Sequence, residues 1–508
     1  MDMKPPLASC RLTPLQAQAT LQASQLLLAQ SPSATNLASL SGVLTTDSRL
    51  VRPGDLFLAY RGVHADGHEH VAMAVRLGAQ LIICEDPKSI PPDANVPWLM
   101  VGDARAAWAY LAAAAFGNPQ QKLRLFGITG TNGKTSTVWM LGELLRAAGY
   151  GCLTLGTLGA FFGSEEWPLR HTTPDPDVLF AHLARAVALG VPFAAMEVSS
   201  HALCQSKVAP LTFEGTAFTS FSRDHLDFHQ DLDAYWLAKL SLFTRPHEAN
   251  ARHVIAASLP RPIPATGISG EILTYREHQD IAAIPGELQI KIQAMDATGT
   301  TLTLVLGSQQ VTGKVPYFAS HALQNFAAAY LLAAKAHGQW LPSTAWSTLR
   351  PVPGRLEQVH KPGGPMVVVD FAHTPDALEK TLEVLRPLCK GRLVVVFGCG
   401  GDRDRGKRPL MGALAERRAD QVIVTSDNPR SEDPQSIIDE VCSDCLKPER
   451  IIKIQDRDLA IKTAILSAGP ADLVLIAGKG HETVQIFADR TLPFDDRLVA
   501  KHYLKLTQ

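Results

Sequence analysis

Two hydrophobic patterns alternate along this chain. Short continuous apolar runs, among them LRLFGI, PFAAMEV, GTAFTSF, MVVVDF, RLVVVFG, QVIVT and DLVLIAGKG, are separated by longer stretches with helical spacing such as STVWMLGELLRAAG. Runs of this length without polar alternation read as parallel strands buried on both faces, with the intervening segments as the helices that cover them. The pattern upstream is mixed. DLFLAYRG and LIICED read as strands, HVAMAVRLGAQ and the alanine-rich DARAAWAYLAAAAFG as helices, and PLQAQATLQASQLLLAQ as a glutamine-rich helix.

The 508 residues exceed what one core usually spans, and about 150 residues per domain suggests about three domains. The loop NPQQ and the Pro/Gly punctuation of LRPVPGR mark the two changes of pattern. The expected fold class is α/β in three domains. A mixed α/β N-terminal domain spans 1–105, a central P-loop-type parallel-sheet ATPase domain spans 106–350, and a Rossmann-like C-terminal domain spans 351–508.

Composition narrows the partners more than the chemistry. An apolar fraction of 46% with 19% charged residues is ordinary for a soluble protein. A net charge of −1 gives no electrostatic reason to expect nucleic acid or an anionic membrane, so an anionic ligand has to be held by local groups. No window approaches the roughly 20 apolar residues of a membrane helix, and the N-terminus lacks a basic start before an apolar core. Eight cysteines without a spacing framework suit a reducing, cytoplasmic compartment. The single CxxC, Cys442 and Cys445 in SIIDEVCSDCLK, has no second pair and reads as helix filler rather than a zinc site.

The chemistry begins where LRLFGI ends. In ITGTNGKT a strand gives way to glycines and then to a helix starting near Lys134. Backbone amides of Gly130, Asn132 and Gly133 can surround phosphates at a helix N-terminus, Lys134 can reach the β- and γ-phosphates, and the Thr135 hydroxyl can bind Mg²⁺. The spacing departs from G-x-x-x-x-G-K-T, since Ile128 stands where the first glycine would. Two further strand ends carry polar residues: Glu197 near the end of PFAAMEV, and His225 in SRDHLDFH after GTAFTSF. Flanking a phosphate loop, they suit a Mg²⁺ role. Lys239 in DLDAYWLAKLSLF reads by pattern alone as a surface lysine.

TGTNGKT, MEVSSHAL, SRDHLDFH with the lysine that follows, and TTDSRLVRPGDLFLAYRG with HADGHEH resemble the Mur ligases, ATP-dependent amide-forming enzymes of peptidoglycan precursor synthesis. The resemblance runs from about residue 43 to 495. It implies ATP held by Gly130, Thr131, Asn132, Gly133, Lys134, Thr135 and Ser136, with Asn325 of HALQNF near the adenine. Arg355 and Asp370 would meet phosphate and ribose. It implies two Mg²⁺ sites near Thr135, Glu197 and His225, and a carbamate on Lys239 as a further metal-holding anion. Ser48, Thr172, Thr173, Ser199, Gln205 and Lys207 would bind the UDP-sugar peptide. Two positions depart from the family pattern: Lys207 replaces a usual arginine, and Phe371 a usual tyrosine. His64, His68 and His70 read as a loop near the uridine rather than a metal site.

The implied reaction passes through an acyl phosphate that an incoming amine attacks, with Lys134, Lys239, His225 and Glu197 as the catalytic set. The third substrate is read from the last domain. VVVFGCGGDRD supplies Arg403, QVIVTSDNPR supplies Asp427, Asn428 and Arg430, and LVLIAGKGHE supplies Gly478, Lys479 and Glu482. Three neighbouring strand ends carrying two arginines and acids suit a zwitterion with an extra carboxylate. Meso-diaminopimelate has one and lysine does not, and a buried unpaired guanidinium is costly. DNPR also resembles the diaminopimelate-adding subgroup. The rival readings are a lysine-adding ligase, folylpolyglutamate synthetase, which shares a related loop, and a non-enzymatic nucleotide-binding regulator. The partners expected are small molecules only, acting on a monomer.

Overall fold

The computed structural model describes the chain except residues 1–8, 38, 63–64, 164, 227, 265, 281–283, 297, 360, 362, 448–449 and 507–508. His64 lies outside the described residues. The chain forms two compact units. One runs through residue 289 and takes in 305–309 and 324–345; the other comprises 290–304, 310–323 and 346–508.

The first unit contains two sheets. The N-terminal sheet has a parallel centre, Gly42–Thr45, Leu56–Leu58, Leu81–Cys84 and Trp98–Val101, with antiparallel edges at Arg11–Leu12 and Leu27–Gln30. The glutamine-rich helix is shorter than its composition suggested. It covers Pro14–Ala23, and Leu27–Gln30 is an edge strand. The reason is local: Gln25 takes a positive φ of 59°, which ends the helix and turns the chain back onto Trp98–Val101.

The second sheet of this unit has six parallel strands in the order Cys152–Gly156, Phe193–Glu197, Arg124–Thr129, Gly215–Phe218, Arg252–Ala256, Glu271–Glu277. Its central runs are buried along their whole length, as continuous apolar patterning requires. One apolar core joins both sheets, with Leu111 and Ala112 of the helix Ala104–Ala115 in the same cluster as Leu153, Leu183 and Phe218. Asp103 caps that helix by accepting from the amides of Arg105 and Ala106.

The second unit is a doubly wound sheet. Met366–Asp370, Leu473–Ala477, Leu393–Phe397, Gln421–Val424 and Ile451–Lys453 lie parallel in that order, with Glu357–Val359 antiparallel at one edge. Alternate residues feed opposite faces. Leu393, Val395 and Phe397 pack with Leu382, Met411 and Ile438, whereas Val394 and Val396 pack with Ile461, Ile465 and Leu504. Thr374, Asp433 and Asp456 each cap the helix that follows. Cys442 and Cys445 lie just beyond the helix Pro434–Val441 rather than inside it, because the chain leaves helical geometry after Cys442.

Candidate functional site

The phosphate loop joins the strand Arg124–Thr129 to the helix Lys134–Ala147. This helix has no side-chain cap, and its N-cap is Gly133 at φ 88°, a conformation open to glycine. A Cβ there would collide with the Asn325 amide oxygen, so Asn325 is held against the loop. The first-turn amides thus face outward as an anion site with the helix dipole behind them. The loop is shaped from its other side by the end of Gly215–Phe218. Thr219 Oγ1 donates to Asn132 O (2.5 Å), Asn132 N donates to Ser220 Oγ (2.9 Å), and Thr131 N donates to Ser220 O (2.8 Å). The Asn132 amide is therefore engaged by Ser220 from the neighbouring strand end.

Two lysines converge on one oxygen. Lys134 Nζ donates to Gly130 O (2.7 Å) and Thr131 O (2.9 Å), and Lys239 Nζ donates to the same Gly130 O (2.8 Å). Lys239 is 1% exposed in the helix Leu232–Thr244 and lies over the Tyr235 ring at 4.5 Å, so it is not the surface lysine its pattern suggested. Burial, with the neighbouring Lys134 charge, lowers its pKa from 10.5 to about 6. His225 also neighbours Tyr235, its ring 6.0 Å away, half-exposed at φ 52°. Glu197 ends the adjacent strand fully buried. Its Oε1 accepts from Thr157 N (2.7 Å), and it lines one recess with Thr135, Trp139 and Phe161.

Around that carboxylate, Thr173 Oγ1 donates to Glu197 O (2.9 Å) and accepts from Ser199 N (3.0 Å), while Thr172 Oγ1 lies 3.2 Å from Thr157 Oγ1. Ser199 caps the short helix that follows, and Gln205 stands half-buried at its end. Lys207 Nζ pairs with Asp175 at 2.7 Å. Ser48 is elsewhere, buried in the N-terminal sheet region with its hydroxyl 3.7 Å from Met73 Sδ. His68 is internally satisfied: Nδ1 is 2.6 Å from Asp66 Oδ1, and Nε2 accepts from Glu85 N. Among the described residues no cluster of three or more His, Cys, Asp or Glu could hold a metal.

In the second unit, three strand ends meet. Asn428 Nδ2 donates to Glu482 (2.7 Å), and its Oδ1 accepts from the fully buried Lys479 (3.0 Å) and from Ile486 N (3.0 Å). Asp427 Oδ1 accepts from Asn428 N (2.7 Å). Arg430 takes φ 52° and donates to Gly401 O (2.8 Å), and Arg403 donates to Asp402 O (3.1 Å). Gly478 N donates to Asp370 O (3.1 Å), which ties this edge to the end of Met366–Asp370. The Asp370 carboxylate accepts from Leu356 N (2.7 Å) and Ala372 N (2.9 Å), holding the turn that carries Arg355 over the Phe371 ring.

Residues 42–116 match the Mur ligase family catalytic domain, 128–333 the Mur ligase middle domain, and 354–480 the Mur ligase glutamate ligase domain. The UDP-N-acetylmuramoyl-L-alanyl-D-glutamate--2,6-diaminopimelate ligase of Pseudomonas syringae pv. tomato is 40% identical over 461 residues, spanning 89% of this chain and 93% of its own. The chain belongs to the Mur ligase family. The enzyme of the same name from Geobacillus thermodenitrificans is 38% identical over 476 residues, covering 91% and 94%. A solved structure of a ligase with that name superposes with TM-score 0.67 at 30% identity over 91% of this chain and 94% of its own. A folylpolyglutamate synthase from Mycobacterium tuberculosis shares the fold alone, with TM-score 0.59 at 18% identity over 74% and 92%.

The pattern of this Mur ligase did not reveal several residues that shape its sites. Thr157, Thr219 and Tyr235 build the phosphate-loop surroundings from turns and a helix with no motif of their own. Arg408 and Arg457 are fully buried beside the strand ends of the second unit. Arg457 donates to both oxygens of the equally buried Asp496 (2.8 and 2.7 Å) and to the carbonyls of Ser426 and Ala477, at the ends of two of the three strands. Burial opposes its charge, and Asp496 more than compensates, so its pKa is raised.

Proposed function

We propose that this Mur ligase joins meso-diaminopimelate to UDP-N-acetylmuramoyl-L-alanyl-D-glutamate at the expense of ATP, in the cytoplasm and as a monomer. The observation that carries the reading is the convergence of Lys134 and Lys239 on Gly130 O at an uncapped helix N-terminus. Lys134 at that N-terminus places positive charge where a transferring phosphoryl group develops negative charge, and the buried Lys239 beside it supplies a neutral amine open to carbamylation. ATP is a substrate shared with the wider fold: a Mur ligase of similar fold from Thermotoga maritima was solved with ADP. On this reading residues 1–105 bind UDP, 106–350 bind ATP, and 351–508 bind the amino acid.

In the reaction, the peptide carboxylate attacks the γ-phosphorus of ATP, ADP leaves, and the diaminopimelate amine then displaces phosphate from the acyl phosphate. Lys134 orients the transferred group. The Thr135 hydroxyl and the Glu197 carboxylate, lining one recess, offer the hard oxygen donors Mg²⁺ prefers, and His225 and the carbamate of Lys239 would complete its surroundings. When bound, Mg²⁺ neutralises phosphate charge. Carbamylation requires an unprotonated amine, and a Lys239 pKa near 6 leaves most of that amine neutral at pH 7–8. Thr172, Thr173, Ser199, Gln205, Lys207 and Ser48 would hold the UDP-peptide. Asn325, Arg355 and Asp370 would hold the nucleoside end of ATP.

Arg403 and Arg430, with Asp427, Asn428, Gly478 and Glu482, form the amino-acid edge, and two guanidinium groups favour a substrate with a second carboxylate over lysine. The test is phosphate release by the purified enzyme with UDP-N-acetylmuramoyl-L-alanyl-D-glutamate and each amino acid. We expect a rate with meso-diaminopimelate at least about a hundredfold above that with L-lysine, the scale on which a site loses an analogue that leaves its charged groups unpaired. Equal rates would overturn the choice of amino acid.

A further inference from the structure

A single guanidinium that the pocket does not contain holds the amino-acid edge together. Arg408, in the first turn of the helix Lys407–Arg418, is completely buried. Its Nη1 donates to Glu432 Oε2 (2.9 Å) and Glu440 Oε2 (2.7 Å), and its Nη2 to Glu432 Oε1 (2.9 Å) and Gly400 O (3.2 Å). One side chain therefore ties the loop after Leu393–Phe397 to the loop after Gln421–Val424 and to the helix Pro434–Val441.

Glu432 extends the tie by accepting from Asp402 N (2.6 Å). Asp402 returns it, accepting from Ser431 Oγ (2.6 Å) and Ser431 N (3.2 Å). Gly401 N donates to Asn428 O (2.9 Å), at an approach so close that a Cβ on Gly401 would run into the Pro429 carbonyl.

The consequence reaches the two arginines of the edge. Arg430 rests its guanidinium on Gly401 O, and Arg403 rests on Asp402 O, so both point where the 400–402 segment lets them. We propose that Arg408 and Glu432 are positioning residues for selection of the incoming amino acid, setting the direction of Arg430 and Arg403 from beneath; this rests on the amino-acid-edge reading above. A lysine at 408 would keep the charge but could not reach Glu432 bidentately together with Glu440 and Gly400. The Glu432 carboxylate is held down to about pKa 2 by Arg408, so the pair is charged at working pH.

The experiment is steady-state kinetics on full-length Arg408→Lys and Glu432→Gln, varying each of the three substrates, with thermal unfolding in parallel. KM for the amino acid should rise about tenfold or more, the scale of one charged hydrogen bond. KM for ATP and for the UDP-peptide should stay within about twofold, and the preference for diaminopimelate over lysine should fall in step. The double variant should be no worse than the poorer single one, because both break one unit. KM values rising together for all three substrates, or an unchanged amino-acid KM in Glu432→Gln, would overturn the proposal. Glu432→Gln preserves volume and one acceptor and decides the matter if Arg408→Lys does not fold. The wild type is assayed first on both amino acids. If it prefers lysine, the substrate reading falls, and the anchor is judged on the KM for lysine.

Discussion

Basic side chains are held inside both units of this ligase, half-buried at Lys134 and buried at Lys239, Arg408 and Arg457, and they are treated in opposite ways. In the first unit Lys134 and Lys239 share one carbonyl, and Lys239 adds the face of a tyrosine ring. In the second, Arg408 meets two carboxylates, and Arg457 meets one bidentately with backbone carbonyls completing its shell. A cation paired with carboxylates is fixed, and removing its partner leaves a charge stranded. A poorly matched one is destabilised in its charged form, which makes its amine chemically available and its surroundings receptive to anions. The first arrangement suits chemistry, and the second suits geometry.

The comparison breaks most sharply at the two lysines. On the proposed reaction, in which the Lys134 charge acts on the transferring phosphoryl group, Lys134→Ala should lower kcat by about a thousandfold while leaving the unfolding temperature nearly unchanged. Single-turnover phosphate release would check it, and a loss below tenfold would remove Lys134 from the chemistry. Lys239→Ala should cost about a hundredfold or more, without rescue by bicarbonate. Near-normal turnover would return Lys239 to a packing role, and a ¹³C carbamate signal on labelled bicarbonate would tie the loss to the modification.

Stability gives Lys239 an independent test whose sign can be worked out. Its folded-state pKa, about 6, lies below the ordinary 10.5. Between those values the unfolded chain holds the proton and the folded chain does not, so stability rises with pH across that window. In carbon-dioxide-free buffer, Lys239→Met should therefore stabilise the protein by on the order of 3 kcal/mol at pH 8, with the gain vanishing near pH 10.5. Denaturant midpoints at the two pH values measure it. The matched pair should behave in the opposite sense: Asp496→Asn leaves Arg457 buried with half its carboxylate, and should destabilise by about 3 kcal/mol at every pH between 6 and 9. A gain that does not depend on pH at Lys239, or no loss at Asp496, would erase the contrast.

How legible these regions were in the sequence follows from what holds each residue. The parallel strands were readable because burial on both faces leaves continuous apolar runs such as LVVVF, and the phosphate loop because its strand, glycines and helix are contiguous. The edge at Leu27–Gln30 was not, since alternation over so few mixed residues resembles a helix until Gln25 turns the chain. Lys239 is buried by Tyr235 and by a loop more than a hundred residues away, so its helical pattern carried no trace of that burial. Arg408 and Arg457 were hidden for the same reason: their carboxylates, Glu432, Glu440 and Asp496, come from separate segments, and only the fold brings them together.

Lys207 is the intermediate case and the gentlest probe. It is buried like Lys239, at 9% exposure, yet it has a carboxylate partner in Asp175 at 2.7 Å, as the arginines of the second unit do. If pairing is what separates a geometric cation from a chemical one, Lys207 should accept replacement by the arginine usual in its family, and Lys239 should not. A guanidinium at 207 keeps the charge and offers a second donor to Asp175 or to a substrate carboxylate. Lys207→Arg should change KM for the UDP-peptide by no more than about threefold, with kcat held. Lys239→Arg keeps a cation that cannot form a carbamate and should be as inactive as Lys239→Ala. Equal tolerance at both positions would mean that burial, and not the presence of a partner, decides what these lysines do.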